Sequence, residues 1–173
     1  DDDVPDLLIG AEQTDRTVDP AVATGAGKVY LIYFDPDEYD QNMNGTPDYE
    51  EGLTVEISLA DVGTTISGVV FTGVEVGDRV GFAVASGGDV SENAGDDLLI
   101  GAPGRDVAGK VDAGTAYLIF HDPTLAGPID LARVASGLVD EIAGAVYEGA
   151  AAGDETGHAV AFPGDIVGDA SPD

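Results

Sequence analysis

The chain repeats itself, and that limits the folds open to it more than any single motif does. "PDLLIGA" at 5–11 returns as "DDLLIGA" at 96–102, and "GKVYLIYFDP" at 27–36 returns as "GTAYLIFHDP" at 114–123. "EISLADV" at 56–62 matches "PIDLARV" at 128–134, and "GVVFTG" at 68–73 matches "GAVYEG" at 144–149. "GDRVGFAVASGGDV" at 77–90 matches "GDETGHAVAFPGDI" at 153–166, so five blocks recur in one order and chance is a poor explanation. The spacing between matched blocks is wider in the first copy before Tyr30 and again after Pro36, which places insertions there. Insertions belong in surface loops between strands. The organisation that follows is a first repeat at 1–76, a second at 77–152, and the opening of a third at 153–173.

Each repeat reads as short runs rich in Val, Ile, Leu and Tyr, cut by Gly, Pro and Asp turns, which predicts strands. In the second unit they are expected near 80–85, 97–102, 115–121 and 144–148, with counterparts at 7–11, 28–34, 68–72 and 158–162. The segments 56–62 and 128–134 fit either strands or single helical turns, and little helix is expected elsewhere. The fold class is therefore all-β. Four-stranded units in tandem fit β-propeller blades, which bury their faces against neighbours; a β-sandwich is the alternative. Two blades cannot close a ring, since propellers typically have about four to eight. The chain is then expected to be a piece of a longer one, or copies associate to complete a ring or stack into a filament.

With 173 residues, 43% of them hydrophobic, the chain can bury a substantial core. Cysteine is absent, which removes disulfides and thiolate metal sites. Thirty-four acidic residues against six basic ones give a formal charge of −28, which repels nucleic acid and anionic membrane surfaces alike. The loops described below account for only part of this acidity. Self-repulsion of that kind is screened in molar salt, where an acidic surface keeps a protein hydrated, so a halophilic source is expected. The alternative is an acidic extracellular calcium protein from a marine or mesophilic organism; Lys28 and Lys110, the only lysines, favour the first reading. No stretch approaches the length of a membrane span, and neither an initiator Met nor a signal-peptide pattern stands at Asp1, as expected of a mature or excised fragment.

Two stretches carry metal-binding spacing. In "GDVSENAGDDLLIGAPG" at 88–104, oxygen-bearing side chains at Asp89, Ser91, Asn93 and Asp97 alternate with small residues and run into an apolar strand that would anchor the loop. That pattern suits a hard cation, which takes about six to eight oxygens at roughly 2.3–2.6 Å. "DQNMNGTPDYEE" at 40–51 matches the calcium-loop pattern D-x-[DN]-x-[DN]-G-x₅-E. Asp40, Asn42, Asn44, the Thr46 carbonyl, Asp48 and Glu51 fall at the ligand positions, and Gly45 allows the sharp turn. Flanking EF-hand helices are not evident, so this loop is closer to the isolated calcium loops of secreted repeat proteins.

The order "VGFAVASGGDV", acidic loop, "DDLLIGAPG", then "DAGTAYLIF" resembles the FG-GAP repeat of integrin α-subunit propellers and their prokaryotic relatives. The resemblance covers nearly the whole chain outside the insertion at about 37–52. It implies propeller blades with Ca²⁺ in the loop between the first and second strands, on extracellular or cell-surface proteins. Carried onto this sequence, it adds the Gly95 carbonyl to Asp89, Ser91, Asn93 and Asp97, with Ser91 standing where the family often has Asn or Asp. The third loop keeps Asp165, Asp169 and Asp173 but has Val167 at the second ligand position; the first keeps Asp2 and Asp6. Two such incomplete loops brought together could assemble one site.

Other signals are weaker. Asn44-Gly45-Thr46 is a glycosylation sequon, but Pro47 follows it and Asn44 is wanted as a ligand. "TGAGKVY" at 24–30 fails as a phosphate loop, with Val22 in place of the first Gly and Val29 after Lys28. His121 and His158 align with Phe34 and Phe82, so both read as packing variants, and no nucleophile–base–acid set stands out. The expectation is a non-catalytic, calcium-binding segment with an adhesion, cell-surface or assembly role. Its partners would be further blades of the same or neighbouring chains and a protein or glycan ligand, with no nucleic acid and no membrane insertion. Two rivals are a filament or shell subunit joined through edge strands and a scaffold within a larger secreted enzyme.

Overall fold

Strands form where the repeats place β-branched and aromatic residues between glycine-rich turns. The computed structural model describes residues 6–12, 25–33 and 56–165. Over them run β1 (Leu7–Ala11), β2 (Lys28–Ile32), β3 (Gly68–Thr72), β4 (Val84–Gly88), β5 (Asp97–Ala102), β6 (Thr115–Ile119), β7 (Gly127–Asp130) and β8 (Gly144–Glu148). A 3-10 turn, Leu131–Arg133, follows β7 and is capped by the Asp130 carboxylate, which accepts from the Ala132 N–H at 2.8 Å. No α-helix occurs among the described residues. The described residues are all-β and form two four-stranded sheets, ordered β1-β2-β3-β7 and β4-β5-β6-β8.

Within each sheet the consecutive strands are antiparallel, with Leu8 opposite Leu31 and Tyr30 opposite Val70 in the first, and Leu99 opposite Leu118 and Tyr117 opposite Val146 in the second. β7 breaks this plan. It comes from the second repeat yet pairs parallel with β3 of the first, Phe71 lying opposite Ile129. The second repeat thus closes the outer edge of its predecessor's sheet. The 128–134 segment is thus both of the expected things, a strand and then a tight turn. In the first repeat, 56–58 is neither, and a turn at 59–60 leads to a lone bridge between Val62 and Ile66.

Side-chain alternation sets the core. Val29 on β2 and Val69 and Phe71 on β3 meet Leu98 and Ile100 of β5 and Tyr117 and Ile119 of β6, so the two sheets pack face to face. Ile129, Leu131, Val134 and Ile142 seal one side. The opposite face of the first sheet, with Tyr30 and Ile32, packs under Val62, Leu59 and Ile66.

The joint between one repeat and the next is built twice. Val80 bridges to Gly27 and its N–H donates to the Ala26 carbonyl at 2.9 Å; Thr156 bridges to Gly114 and donates to the Ala113 carbonyl at 3.0 Å. Gly81 and Gly157, at φ of 83° and 87°, lay their carbonyls against Gly10 and Gly101, where no Cβ would fit. The rings of Phe82 and His158 meet at a tilt of 46° with centroids 4.5 Å apart, and the Arg79 guanidinium lies 4.4 Å from the Phe82 centroid. No closed ring forms among the described residues.

Candidate metal centre

The loop from Asp89 to Asp97 joins β4 to β5, and β5 anchors its end. Asp97 is the first residue of β5 and is fully buried. Its carboxylate accepts from the Ser91 N–H at 2.9 Å, the Ser91 hydroxyl at 3.0 Å and the His121 N–H at 2.7 Å. Asp89 closes the turn from the other side, accepting from the N–H groups of Asn93 and Ala94, both at 2.9 Å. The Ser91 hydroxyl lies 3.5 Å from Asp89, so Asp89, Ser91 and Asp97 converge. Glu92 and Ala94 take left-handed backbone, φ 56° and 72°, which lets the loop curl tightly enough for this.

The other two expected ligands of this loop, Asn93 and the Gly95 carbonyl, lie beside His121. Asn93 donates its side-chain amide to the His121 carbonyl at 2.8 Å, which turns that side chain toward the loop after β6. Gly95 packs against the His121 ring, leaving no room for a Cβ there. Beyond the packing role that its alignment with Phe34 suggests, His121 tethers the loop, its N–H holding Asp97 and its carbonyl holding Asn93. Sequence carried no signal for this, because both contacts use backbone atoms. His158 stands apart, packed at a tilt against Phe82 and 3.1 Å from Glu155.

The loop borders an open cleft of about 850 Å³ between the two sheets, where Asp6, Asp89, Asp96 and Asp122 come to one region with Tyr33 and His121. Burial, with the charges of Asp6 and Asp122 behind it, pushes the Tyr33 hydroxyl up from its ordinary pKa of 10.0. Asp122 is held below the usual carboxylate range by the Thr124 hydroxyl and amide, which donate to it at 2.6 and 2.8 Å. Asp6 therefore shares a cleft with the Asp89 loop. Asp165 is described and exposed at the end of the segment that follows the second joint. Asp2, Asp40, Asn42, Asn44, Thr46, Asp48, Glu51, Asp169 and Asp173 lie outside the described residues. Among the described residues no three His, Cys, Asp or Glu side chains gather as a metal-binding group, and the Asp89 loop brings together two carboxylates and a hydroxyl.

A second buried carboxylate, Asp78, sits at the joint between the repeats. It accepts from the N–H groups of Val74 and Glu75 at 3.1 and 2.9 Å and lies 3.9 Å from Arg105, whose guanidinium donates to the Tyr117 hydroxyl at 2.6 Å. Burial raises the Asp78 pKa above its ordinary value, and burial likewise pushes Tyr117 up to about 12. This cluster fixes the turn that starts the second repeat. Asp78 and Tyr117 are both buried, which fits a structural role.

No helix among the described residues is long and apolar enough to cross a membrane. A scan against protein-family models finds no match, and a search of curated proteins finds none either.

Proposed function

We propose that this chain is a calcium-binding segment of an integrin-α-like β-propeller, extracellular or cell-surface in location, with a non-catalytic role in adhesion, surface architecture or assembly. The observation that carries the reading is the convergence of Asp89, Ser91 and Asp97 in the loop between β4 and β5 of a tandemly repeated four-stranded unit. Each carboxylate oxygen has two lone pairs, and the loop's N–H donors leave acceptor capacity that a hard cation takes. Ca²⁺ there neutralises adjacent carboxylates on a chain of net charge −28 and binds only the folded loop, so it stabilises the unit. The 40–51 loop is the second calcium site of the proposal, on its spacing alone. Its ligands would be Asp40, Asn42, Asn44, the Thr46 carbonyl, Asp48 and Glu51.

Isothermal titration of Ca²⁺ into the protein in molar NaCl tests the reading. Heat saturating at two ions per chain, falling to one in Asp89→Ala, is the expected result. Absence of saturable binding in both proteins overturns it.

A further inference from the structure

We infer that Phe162, in the segment after the second joint, is a positioning residue for the Asp89 loop, and that it couples Ca²⁺ binding in the second repeat to docking of the third. The inference deepens the calcium reading above and rests on it for the ion. The contact that carries it involves no metal.

Two glycines bracket the loop, Gly88 before Asp89 and Gly95 after Ala94, and neither takes the left-handed backbone that favours glycine. Each is small for another reason. A Cβ on Gly88 would stand 2.6 Å from Cδ1 and 3.0 Å from Cγ of Phe162, and a Cβ on Gly95 would collide with the His121 ring. Close-packed carbon atoms do not approach so near, so each glycine is a notch that seats a ring. His121 comes from the same repeat, on the loop after β6, whereas Phe162 comes from the next. Gly88 is buried; over 161–165 Phe162 is half-buried while Ala161, Pro163, Gly164 and Asp165 are exposed. The ring on Gly88 therefore ties the opening of the third repeat to the metal loop of the second.

Gly88 is also where such a tie reaches the candidate ligands. β4 bulges between Ser86 and Gly88, with Gly87 at φ 112°, and Gly88 stands opposite Asp97 across the ladder. Two successive glycines leave the chain wide backbone freedom at the entry to Asp89, so the position of that carboxylate depends on what holds Gly88. Pairing with β5 holds it from one direction and the Phe162 ring from another. The Asp89 carboxylate then reaches across the loop to the N–H groups of Asn93 and Ala94, both at 2.9 Å, beside the second notch. Seating Phe162 thus helps to fix Asp89 against Ser91 and Asp97, the arrangement a hard cation needs. The ring is particular to this joint, because "AVAF" at 159–162 stands where the preceding repeat has "AVAS" at 83–86.

Linkage makes the effect reciprocal: by the factor that a seated Phe162 tightens Ca²⁺ binding, bound Ca²⁺ tightens the seating of Phe162. Couplings between sites run from about fivefold to about 150-fold, and a single ring contact belongs at the low end, about fivefold.

The contact is read first without calcium. In chelator and molar NaCl, Gly88→Ala is expected to lower the urea midpoint, and in a Phe162→Ala background to lower it at least about threefold less, because the atoms nearest the new Cβ are gone. Coupling is read by titration. Phe162→Ala is expected to raise the Ca²⁺ Kd of the Asp89 site about fivefold, Phe162→Leu to raise it less, and neither to alter the 40–51 site. Amide exchange over 161–165 is expected to slow by a similar factor when Ca²⁺ is added to wild type and to stay unchanged in Asp89→Ala, a readout that a merely structural Phe162 does not move. Equal midpoint losses from Gly88→Ala in both backgrounds overturn the contact. Calcium binding with an unchanged Kd in Phe162→Ala, or amide exchange indifferent to Ca²⁺ in a wild type that binds it, overturns the coupling and leaves the calcium proposal standing. Absence of saturable binding in wild type overturns the calcium proposal and the coupling together.

Discussion

Replacing Asp97 by Ala removes the one fully buried carboxylate of the β4–β5 loop, and its consequence can be worked out from its partners. Two backbone donors, Ser91 N–H at 2.9 Å and His121 N–H at 2.7 Å, lose their acceptor, as does the Ser91 hydroxyl at 3.0 Å. A hydrogen bond to a charged group contributes about 1.5–3 kcal/mol net, so the two backbone bonds together set a range of about 3–6 kcal/mol. Water entering the space left by the carboxylate re-solvates part of this, which brings the expected loss to about 3–4 kcal/mol. Against a domain stability of about 5–15 kcal/mol that is a large change. In urea denaturation followed by circular dichroism, with an m-value near 2 kcal/mol/M, the midpoint is expected to fall by roughly 1.5–2 M. The measurement is made in molar NaCl with chelator present, so that only the loop's own hydrogen bonds are read. Asp97→Asn, which keeps one acceptor oxygen, is expected to lose about half as much. A loss below about 1 kcal/mol for Asp97→Ala in chelator would refute the claim that this carboxylate organises the loop without help from a metal.

Asp89→Ala differs, because its two N–H partners are exposed and water replaces the acceptor; the expected loss in chelator is under about 1 kcal/mol, with nearly all the effect appearing when Ca²⁺ is added. Equal losses with and without Ca²⁺ in the same urea assay would contradict that. Gly101→Ala drives a Cβ into the carbonyl of Gly157 at the joint between repeats, and overpacking against backbone is expected to cost at least about 1–3 kcal/mol in thermal unfolding. Asp78→Asn is expected to change how stability varies with pH. Burial raises the folded pKa of Asp78 above its ordinary 3.8, so its contribution favours folding below that value and is lost as pH rises through the folded pKa. Removing the charge is expected to flatten the wild-type decline from about pH 4 upward, read as the difference between urea midpoints of the two proteins across a pH series. Unchanged pH dependence would assign the decline to other carboxylates.

Much of the architecture was legible because the repeats carry their own punctuation. The expected bounds of β1, β3, β5 and β8 coincide with the strands observed, and β2 and β6 end two residues early, before Tyr33 and Phe120. β4 was displaced: 80–85 was expected, and Val84–Gly88 forms. The cause is that Val80 and Gly81 are taken by the joint, where they bond to Ala26 and Gly101. The expected strand at 158–162 is absent for a different reason, since pairing needs a partner and the described residues hold none. β7 could not be assigned to its sheet from sequence, because its parallel partner β3 lies in the preceding repeat and nothing local encodes that choice. In the loop, alternation predicted the meeting of Asp89, Ser91 and Asp97 but not the turning of Asn93 to His121, which depends on a backbone carbonyl after β6.

The central claim is that Ca²⁺ holds these loops in the folded repeat. Thermal unfolding in molar NaCl, with Ca²⁺ and again after chelation, tests it on wild type, Asp89→Ala and Asp40→Ala side by side. The account predicts a large calcium-dependent rise in Tm for wild type that each substitution reduces. The same Tm with and without Ca²⁺ in all three proteins would contradict it, leaving a metal-free acidic scaffold whose loops close on their own hydrogen bonds.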